Sequence, residues 1–380
     1  MKVLFVTGSL VHGGAERHTI TLSNRLAERG HECHLAYVRN DPSQLSRLRG
    51  AASVQCLHAE RYLDRDALKR LSTLIARIAP SAVVAVNQHA LLYASLARRG
   101  SDVPLLVVFH TTWLRTLKEQ LKMLAYRPLF WGAEQAVFVC QRQRMHWRNR
   151  GVFARRNTVV YNGIDAAYWR PAAADGAVLR QTLGFAAGDY VIGMSAVLRP
   201  EKNHVQLVEA VAELRRRGVP ARALMVGDGE TRPAVETRAQ ALGVADQVTI
   251  TGLQQDVRPF LAACDVVALT SHTEAFSLAA IEAMALERPV VHSDVGGAAE
   301  MIRPGVNGFL FPVGDTATLV ARLEQLAAQD AREHMGKAAR ALVEQRFTEP
   351  AMVERYESIL HELETRRSKR ANLRRPAGAH

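Results

Sequence analysis

Short apolar runs alternate with helix-length amphipathic segments along this 380-residue sequence. The alternation is typical of βαβ units, in which parallel strands form a sheet and helices cover its faces. Seven runs lie in the first half, at 2–8, 32–38, 53–57, 82–86, 104–109, 136–140 and 158–161. Five more follow at 190–198, 222–227, 247–252, 265–271 and 288–293. The sequence therefore predicts an α/β protein with two Rossmann-like, doubly wound domains in tandem.

The length of the chain supports two domains, because a single hydrophobic core rarely organises more than about 250–300 residues. Residues 162–178 contain glycine, proline and alanine without periodicity, which predicts a linker. We predict one domain over residues 1–165 and a second over 166–345. A charged helix and a basic tail are expected over 346–380. Two such domains imply a cleft in which a ligand binds.

Several classes of protein are disfavoured by composition. The longest apolar runs are far shorter than the roughly 20 residues that span a bilayer. The opening residues, MKVLFVTGSLVHGG, lead into a glycine loop, so we predict a first strand rather than a signal peptide, and a cytoplasmic protein. The four cysteines have no zinc-ligand spacing, and we expect them to be buried thiols: Cys33, Cys56, Cys140 and Cys264.

Positive charge is concentrated in the first domain. The chain has 49 basic and 37 acidic residues, and residues 1–165 contain 24 of the basic but only 11 of the acidic ones. This asymmetry predicts an anionic partner for the first domain, such as nucleic acid, a membrane surface or a charged substrate. Candidate contacts are the segments 115–127 and 142–156, with the nearby aromatic residues Trp113, Trp147 and Phe153; a solvated basic face is the alternative. Nucleic acid fits less well, because no nucleic-acid-binding motif accompanies the charge.

The glycine loop after the first strand lacks the side chains of nucleotide-binding motifs. Gly8 and Gly13 have P-loop spacing, but Gly14 and Ala15 stand where lysine and serine or threonine are required. GDGETR, at 227–232, matches only two glycines of the dinucleotide fingerprint. ATPase, kinase and dehydrogenase activities are therefore disfavoured. The Gly13-Gly14 turn precedes a helix N-terminus, which can bind an anion or simply turn the chain.

Two glutamates frame the segment EAFSLAAIE, at 274–282, which follows an apolar strand. If a helix begins near Phe276 or Ser277, Glu274 lies in the loop at the carboxyl edge of the sheet, where open α/β sheets bind ligands. The N–H groups of Ser277 and Leu278 would face a phosphate, and Glu282 could accept hydrogen bonds from a ribose diol. Alternatively, Glu274 caps the helix and Glu282 is solvated.

A basic pair follows the first strand of the second domain, in the sequence AVLRPEKNH. Arg199 and Lys202 leave that strand at the same sheet edge and can converge on the anion that the helix faces. Cations beside a diphosphate stabilise the charge that grows as the phosphate leaves. Taken alone, RPEK is a charged turn, but together with the two glutamates and with Gly296 and Gly297 it predicts a nucleoside diphosphate site.

These motifs resemble glycosyltransferase family 4, whose members are retaining enzymes of the two-domain GT-B fold. The resemblance covers nearly the whole chain and follows the family's order: GGAE (13–16), NGID (162–165), RPEKN (199–203), VGDG (226–229), TGLQQDV (251–257), EAFSLAAIEAMALERPVV (274–291) and GGAAEMI (296–302). One departure concerns the position five before Lys202, where many members have arginine and this chain has Val197.

The resemblance implies a role for each matching residue. Arg199 and Lys202 would bind the diphosphate of a nucleotide-sugar donor, Glu282 its ribose, and Glu274 the transferred sugar. Gly252 and Leu253 begin a loop that would cover the base. His110 ends a strand of the first domain and matches a histidine placed beside the donor sugar, although it can equally be a rim residue. Arg199 would supply the charge missing at Val197.

The resemblance also implies a reaction. The donor would be UDP- or GDP-linked, the acceptor a glycan or lipid-linked molecule in envelope or exopolysaccharide synthesis, and the product would retain the anomeric configuration. No cofactor or metal is expected, and the single D-x-D, at 64–66, falls in a charged segment predicted to be helical. An anionic membrane surface is a possible partner. A GT-B-like epimerase and a non-catalytic nucleotide-sugar binding subunit stay open as alternatives.

Overall fold

The computed structural model describes residues 1–11, 13–111, 114, 116–171 and 173–373. These residues form two compact units, one comprising 1–162 together with the residues from 350 onwards and the other comprising 163–349. The sequence placed the corresponding divisions after residues 165 and 345. Trp113, Arg115 and residues 374–380 of the expected basic tail lie outside the described residues.

The first unit is built on a seven-stranded sheet of order β3-β2-β1-β4-β5-β6-β7, in which every pair of neighbours is parallel. Its strands are β1 (Lys2–Thr7), β2 (Glu32–Tyr37), β3 (Ser53–Cys56), β4 (Ala82–Val86), β5 (Leu105–Phe109), β6 (Gln135–Phe138) and β7 (Asn157–Val159). The helices that follow successive strands are α1 (Gly14–Glu28), α2 (Arg65–Ile78), α3 (Asn87–Ala97), α4 (Leu117–Trp131) and α5 (Gln141–Arg148). Strand order reverses beside β1, and ligands bind at such a switch point in open α/β sheets.

The second unit contains a six-stranded parallel sheet of order β10-β9-β8-β11-β12-β13. Its strands are β8 (Tyr190–Ser195), β9 (Ala221–Val226), β10 (Val248–Ile250), β11 (Val266–Leu269), β12 (Val290–Ser293) and β13 (Gly308–Phe311). Its helices are α6 (Ala173–Thr182), α7 (His204–Arg216), α8 (Arg232–Ala241), α9 (Arg258–Ala262), α10 (Leu278–Ala285), α11 (Ala298–Met301), α12 (Thr316–Gln325) and α13 (Gln329–Arg346). The two doubly wound sheets predicted from the sequence are confirmed.

Two details differ from the prediction. The sequence missed β13, a four-residue strand that begins at Gly308 and pairs with β12 along its whole length. Part of the predicted linker 162–178 is helical, because α6 starts at Ala173. The side chain of Asp64 caps α2 by accepting hydrogen bonds from the N–H groups of Asp66 and Ala67 at 3.0 Å each, so the D-x-D segment lies at a helix start.

The last described helix, α14 (Glu349–Leu373), packs on the first unit. Its apolar face buries Met352, Val353, Tyr356, Ile359, Leu360 and Leu363 in one cluster with side chains from β1, β2, β4 and α1. α14 therefore covers one face of the first sheet, as a helix between strands otherwise would. Among the described residues, no helix is long and apolar enough to cross a bilayer.

Candidate active site

The loop that follows β8 is fixed by the end of the neighbouring strand β11. Lys202 ends a single 3-10 turn, Pro200–Lys202, and Asn203 follows in the left-handed region at φ 53°. The hydroxyl of Thr270 donates to the carbonyl oxygens of Lys202 and Asn203 at 3.0 and 2.8 Å. The N–H of His272 donates to the carbonyl of Glu201 at 2.8 Å. These bonds bring Lys202 to the loop that contains Glu274.

Lys202 and Glu274 form an ion pair in which the ammonium group donates to Oε2 of the carboxylate. Their side chains are 25% and 19% exposed, so water reaches the pair only partly. Burial alone would raise the pKa of Glu274, but the charge and hydrogen bond of Lys202 outweigh it, and the pKa is lowered. The Glu274 carboxylate is therefore ionised at neutral pH. The loops after β8 and β11 therefore bring Lys202 and Glu274 into direct contact.

Two glycines of the loop after β12 adjoin the backbone carbonyls of Glu274 and Ala275. Gly296 has φ 50°, and a Cβ at this position would lie 1.9 Å from the carbonyl oxygen of Glu274. The N–H of Gly297 donates to the carbonyl of Ala275 at 2.8 Å. The loop after β12 can approach Glu274 this closely only because position 296 has no side chain, and this packing helps to position the Glu274 carboxylate. The Gly296-Gly297 pair of the motif therefore has a structural role.

Glycines also support the Lys202 loop from the other side. Gly227 and Gly229 have φ values of 147° and 156°, and a Cβ on either would approach the carbonyl oxygens of Ala196 and Leu198 to 2.1 and 2.4 Å. Gly252, at φ 72°, forms a β-bridge with Gly227. Leu253 is 67% exposed, so its side chain is accessible for contact with a ligand. Gly252 and Leu253 therefore adjoin the loops that carry the ion pair.

α10 begins where the sequence predicted. Ser277 is its N-cap, with the hydroxyl accepting from the N–H of Ala280 at 3.2 Å. Among the described residues, the N–H groups of Ser277 and Leu278 have no hydrogen-bond acceptor, which leaves them available to an anion. Glu282 is only 3% exposed. The alternatives, in which Glu274 caps this helix and Glu282 is solvated, are therefore wrong.

Phe276 and Arg199 differ in their surroundings. Phe276 is buried, and its ring packs edge-on against Phe347 at 5.4 Å between centroids, which anchors the start of α10. Arg199 precedes the 3-10 turn and is exposed, and its guanidinium has no ion pair or hydrogen bond within the described part of the chain. Arg199 is thus a free cation on the same loop as Lys202.

His292 is a site neighbour that the sequence analysis missed. It lies on β12 opposite Leu269, is fully buried, and its Nδ1 donates to the carbonyl of Ser293 at 2.7 Å. Burial lowers the pKa of His292 to about 4, although the nearby charge of Glu274 acts in the opposite direction. The ring is neutral at pH 7. Its Nε2 is buried and has no partner among the described residues.

The first unit contains the other predicted residues. Gly13 precedes α1 in extended conformation, and a Cβ on it would lie 2.3 Å from a carboxylate oxygen of Glu16. Gly14 is the first residue of that helix. His110 directly follows β5, and its N–H donates to Oδ1 of Asn87 at 2.8 Å. These residues lie at the carboxyl ends of β1 and β5, next to where the strand order reverses.

His110 lies next to a second histidine, on which a tyrosine packs, and the sequence indicated neither contact. Its ring packs against that of His18 on α1 at 4.8 Å, and the His18 ring lies 5.4 Å from that of Tyr356 on α14. Burial lowers the pKa of His110 to about 4, so the imidazole is neutral at pH 7. His18 falls on the buried face of α1 and Tyr356 on that of α14, and sequence periodicity marks both only as core positions.

One part of the predicted anionic-partner surface is wrong. Trp147 is buried, and its ring nitrogen donates to the carbonyl of Thr111 at 2.7 Å. It packs against Phe109 in the core of the first unit and cannot contact a membrane. Phe153 is exposed, as are several leucines of α4.

Two sequence families match the chain, one in each half. Residues 12–168 match Glycosyltransferase Family 4, and residues 177–342 match Glycosyl transferases group 1. The putative glycosyltransferase EpsD of Bacillus subtilis (strain 168) is 33% identical over 43% of either chain. N-acetyl-alpha-D-glucosaminyl L-malate synthase of Bacillus anthracis is 31% identical over 54% of this chain and 53% of its own. The matched segments thus span about half the length of these relatives.

Matches over most of the chain also occur. The lipopolysaccharide core biosynthesis glycosyltransferase LpsE of Rhizobium meliloti (strain 1021) is 28% identical over 92% of this chain and 96% of its own. The crystal structure of Anabaena Alr3699/HepE in complex with UDP-glucose has a TM-score of 0.86 at 25% identity and covers 95% of this chain and 100% of that one. The fold class is therefore GT-B, and the chain belongs to glycosyltransferase family 4.

Proposed function

We propose that the protein is a retaining glycosyltransferase that moves a sugar from a nucleoside diphosphate sugar to a glycan or lipid-linked acceptor in envelope or polysaccharide biosynthesis. The observation that carries the proposal is the Lys202–Glu274 ion pair, held at the carboxyl edge of the second sheet beside the unpaired N–H groups that begin α10. The HepE complex with UDP-glucose supports a UDP-linked donor.

The charges of the site suit the departure of a diphosphate. As the bond between the anomeric carbon and the diphosphate oxygen breaks, negative charge grows on the phosphate. Lys202, Arg199 and the N-terminus of α10 offer positive potential for that charge. A helix N-terminus and two cations can supply this stabilisation from the chain itself, and we infer that transfer proceeds without a metal ion.

Glu274 and Glu282 would act on different parts of the donor. Glu274, kept ionised by Lys202, would hold the hydroxyl groups of the transferred sugar. Glu282 is held on α10 and would accept hydrogen bonds from the ribose. The acceptor oxygen would bond to the anomeric carbon from the side that the diphosphate leaves, and its proton would pass to the departing phosphate oxygen. This same-side substitution retains the anomeric configuration.

His110, Gly13 and Gly14 are the residues of the first unit that we propose to bind ligand. The neutral imidazole of His110 can donate or accept one hydrogen bond to a sugar hydroxyl without adding charge. The Gly13-Gly14 turn lets backbone approach a ligand closely. Gly252 and Leu253 would contact the base.

We also propose that α4 contacts the membrane that holds a lipid-linked acceptor. Leu117, Leu121 and Leu124 form an exposed apolar stripe on this helix, and Lys118 and Lys122 are interspersed with it. Apolar side chains with flanking lysines are typical of helices that lie on anionic bilayers. Co-sedimentation with vesicles of phosphatidylglycerol should be lost in Leu121→Asp, and retention of binding would refute this assignment.

The catalytic proposal is tested in two steps with purified protein. A panel of UDP- and GDP-linked sugars is first screened for a rise in melting temperature, because a ligand that binds only the folded state stabilises it. The stabilising donor is then supplied with candidate acceptors, with and without a chelator, and the anomeric configuration of the product is read by NMR. We expect a chelator-resistant, retained product. Sugar conversion without an acceptor would instead identify an epimerase.

A further inference from the structure

A groove lined by arginines lies at the amino edge of the first sheet. Its volume is about 420 Å³, within the range of pockets that hold small ligands. The six arginines that line it are Arg98, Arg155, Arg156, Arg366, Arg367 and Arg370. Asp102 and Glu134 are its acidic lining residues. The groove joins two basic segments that are more than 200 positions apart in the sequence, one before β7 and one on α14.

The groove and His110 lie at opposite edges of the first sheet. Asp102 precedes β5, Glu134 directly precedes β6, and Arg156 directly precedes β7. These residues therefore lie where the strands begin. His110 follows β5 and lies where the strands end. A ligand in the groove would sit at the opposite edge of the sheet from His110.

Part of the arginine set is positioned by protein contacts. Arg98 contacts the carboxylate of Glu134 at 3.3 Å and donates to the carbonyls of Val103 and Gly132 at 2.7 and 2.9 Å. Arg367 donates to the carbonyl of Pro80 at 3.0 Å. These bonds fix two guanidinium groups without neutralising most of the positive charge of the groove.

The positive charge of the other four arginines is poorly compensated. Arg156 and Arg366 share one carboxylate, that of Glu362, at 3.7 Å each. The guanidinium groups of Arg155 and Arg370 form no hydrogen bond or ion pair with any described residue, and both are exposed. Six cations around three carboxylates repel one another, and an anion bound between them would relieve that repulsion.

We propose that this groove binds a phosphate-bearing anion, held by Arg155 and Arg370 with support from the fixed guanidinium of Arg98. Arginine pairs with phosphate through two parallel hydrogen bonds, which makes it the preferred residue for such ligands. The phosphate can belong to the headgroup of an anionic lipid or to a soluble phosphorylated molecule. This site goes beyond the proposed transfer reaction and does not use its residues.

The test measures binding by calorimetry with two probes, inorganic pyrophosphate and dihexanoyl phosphatidylglycerol below its micelle concentration. Dihexanoyl phosphatidylcholine serves as the uncharged-headgroup control. Binding of pyrophosphate indicates a soluble ligand, and binding of the phosphatidylglycerol alone indicates a lipid headgroup. Because pyrophosphate can also enter the diphosphate site, each titration is repeated with Lys202→Ala.

Two double variants decide the location. Arg155→Ala/Arg370→Ala should weaken binding of the active probe at least tenfold, while Lys202→Ala retains it. Arg61→Ala/Lys69→Ala removes two other exposed cations of the first unit and should leave affinity within twofold. Failure of both probes to bind, or equal loss in the two double variants, would overturn the proposal. UDP binding should be unchanged in Arg155→Ala/Arg370→Ala. Failure of the proposed donor site and failure of the proposed groove site can therefore be told apart.

Discussion

Lys202 donates a hydrogen bond to Glu274, which lies 72 positions later in the sequence. The loop that carries each residue packs against a glycine-containing loop, which holds the residue in place. The first loop rests on Gly227 and Gly229, and the second rests on Gly296. The ion pair is therefore a product of backbone packing at one sheet edge. Its geometry is therefore set by the two loops, and not only by the conformations of two flexible side chains.

Replacing Lys202 by Met should strongly slow transfer while the protein stays folded. The substitution keeps most of the aliphatic stem and removes the charge that faces the departing phosphate. We expect the turnover number to fall by about 10²–10³, as when one transition-state hydrogen-bond donor is removed. Steady-state kinetics with saturating donor measures the loss. Arg199→Met is the matched comparison on the same loop, and a larger loss there would assign the principal cation to Arg199.

Gly296→Ala should destabilise the second unit through a specific contact. The new Cβ would meet the carbonyl oxygen of Glu274, and displacing that backbone adds about 1–3 kcal/mol to the cost of a positive φ. Gly305→Ala is the matched control, because Gly305 has φ 79° and its Cβ would meet nothing within 4 Å. Urea denaturation gives both free energies of unfolding. Equal free energies of unfolding in the two variants would show that the loop moves to accommodate the new Cβ without loss of stability.

Glu282→Gln should weaken donor binding and leave folding intact. The amide has the same shape as the carboxylate, but it is uncharged and one of its two terminal atoms is an NH₂ donor, so it cannot accept a hydrogen bond at each terminal atom from a ribose diol. We expect donor affinity to fall about 10–100-fold, in line with a hydrogen bond to a charged group. Calorimetry with the nucleoside diphosphate isolates this effect from sugar contacts. An unchanged affinity would remove Glu282 from the nucleotide site.

Stability should fall as the pH drops from 6.5 towards 4 because His292 is buried in its neutral form. An unfolded histidine binds a proton near pH 6.5, whereas the pKa of His292 in the folded protein is about 4. The unfolded state therefore gains protons first, and the lost stability reaches roughly 3 kcal/mol for this residue. His292→Asn keeps a donor for the Ser293 carbonyl and should flatten the slope. His334→Asn, at an exposed position, is the control.

Sequence patterns predicted most of the fold and located the two loops that carry Lys202 and Glu274. Apolar runs located twelve of the thirteen strands that the structure describes. The two glutamates that frame residues 274–282 located α10, because Ser277 between them is a good N-cap. The sequence could not show that Glu282 is buried, since its neighbours Ala280 and Ile281 on α10 are compatible with either face. β13 was missed because it is only four residues long and starts with glycine.

The remaining differences come from contacts between distant segments. His292 lies near Glu274 because β12 pairs with β11, and strand order is not encoded in the local pattern of either strand. His18 on α1 meets His110, 92 positions later in the chain, and Tyr356 of α14 packs on His18. Trp147 resembled a surface anchor because arginines surround it in the sequence, but α5 turns it towards Phe109.

The packing of α14 has a consequence for the order of folding. Val3 and Phe5 of the opening strand share an apolar cluster with Tyr356 and Leu360, which follow the whole second unit in the chain. During synthesis the second unit has all of its residues before this cluster can close. One face of the opening strand therefore stays incompletely covered until a helix made some 350 residues later packs on it.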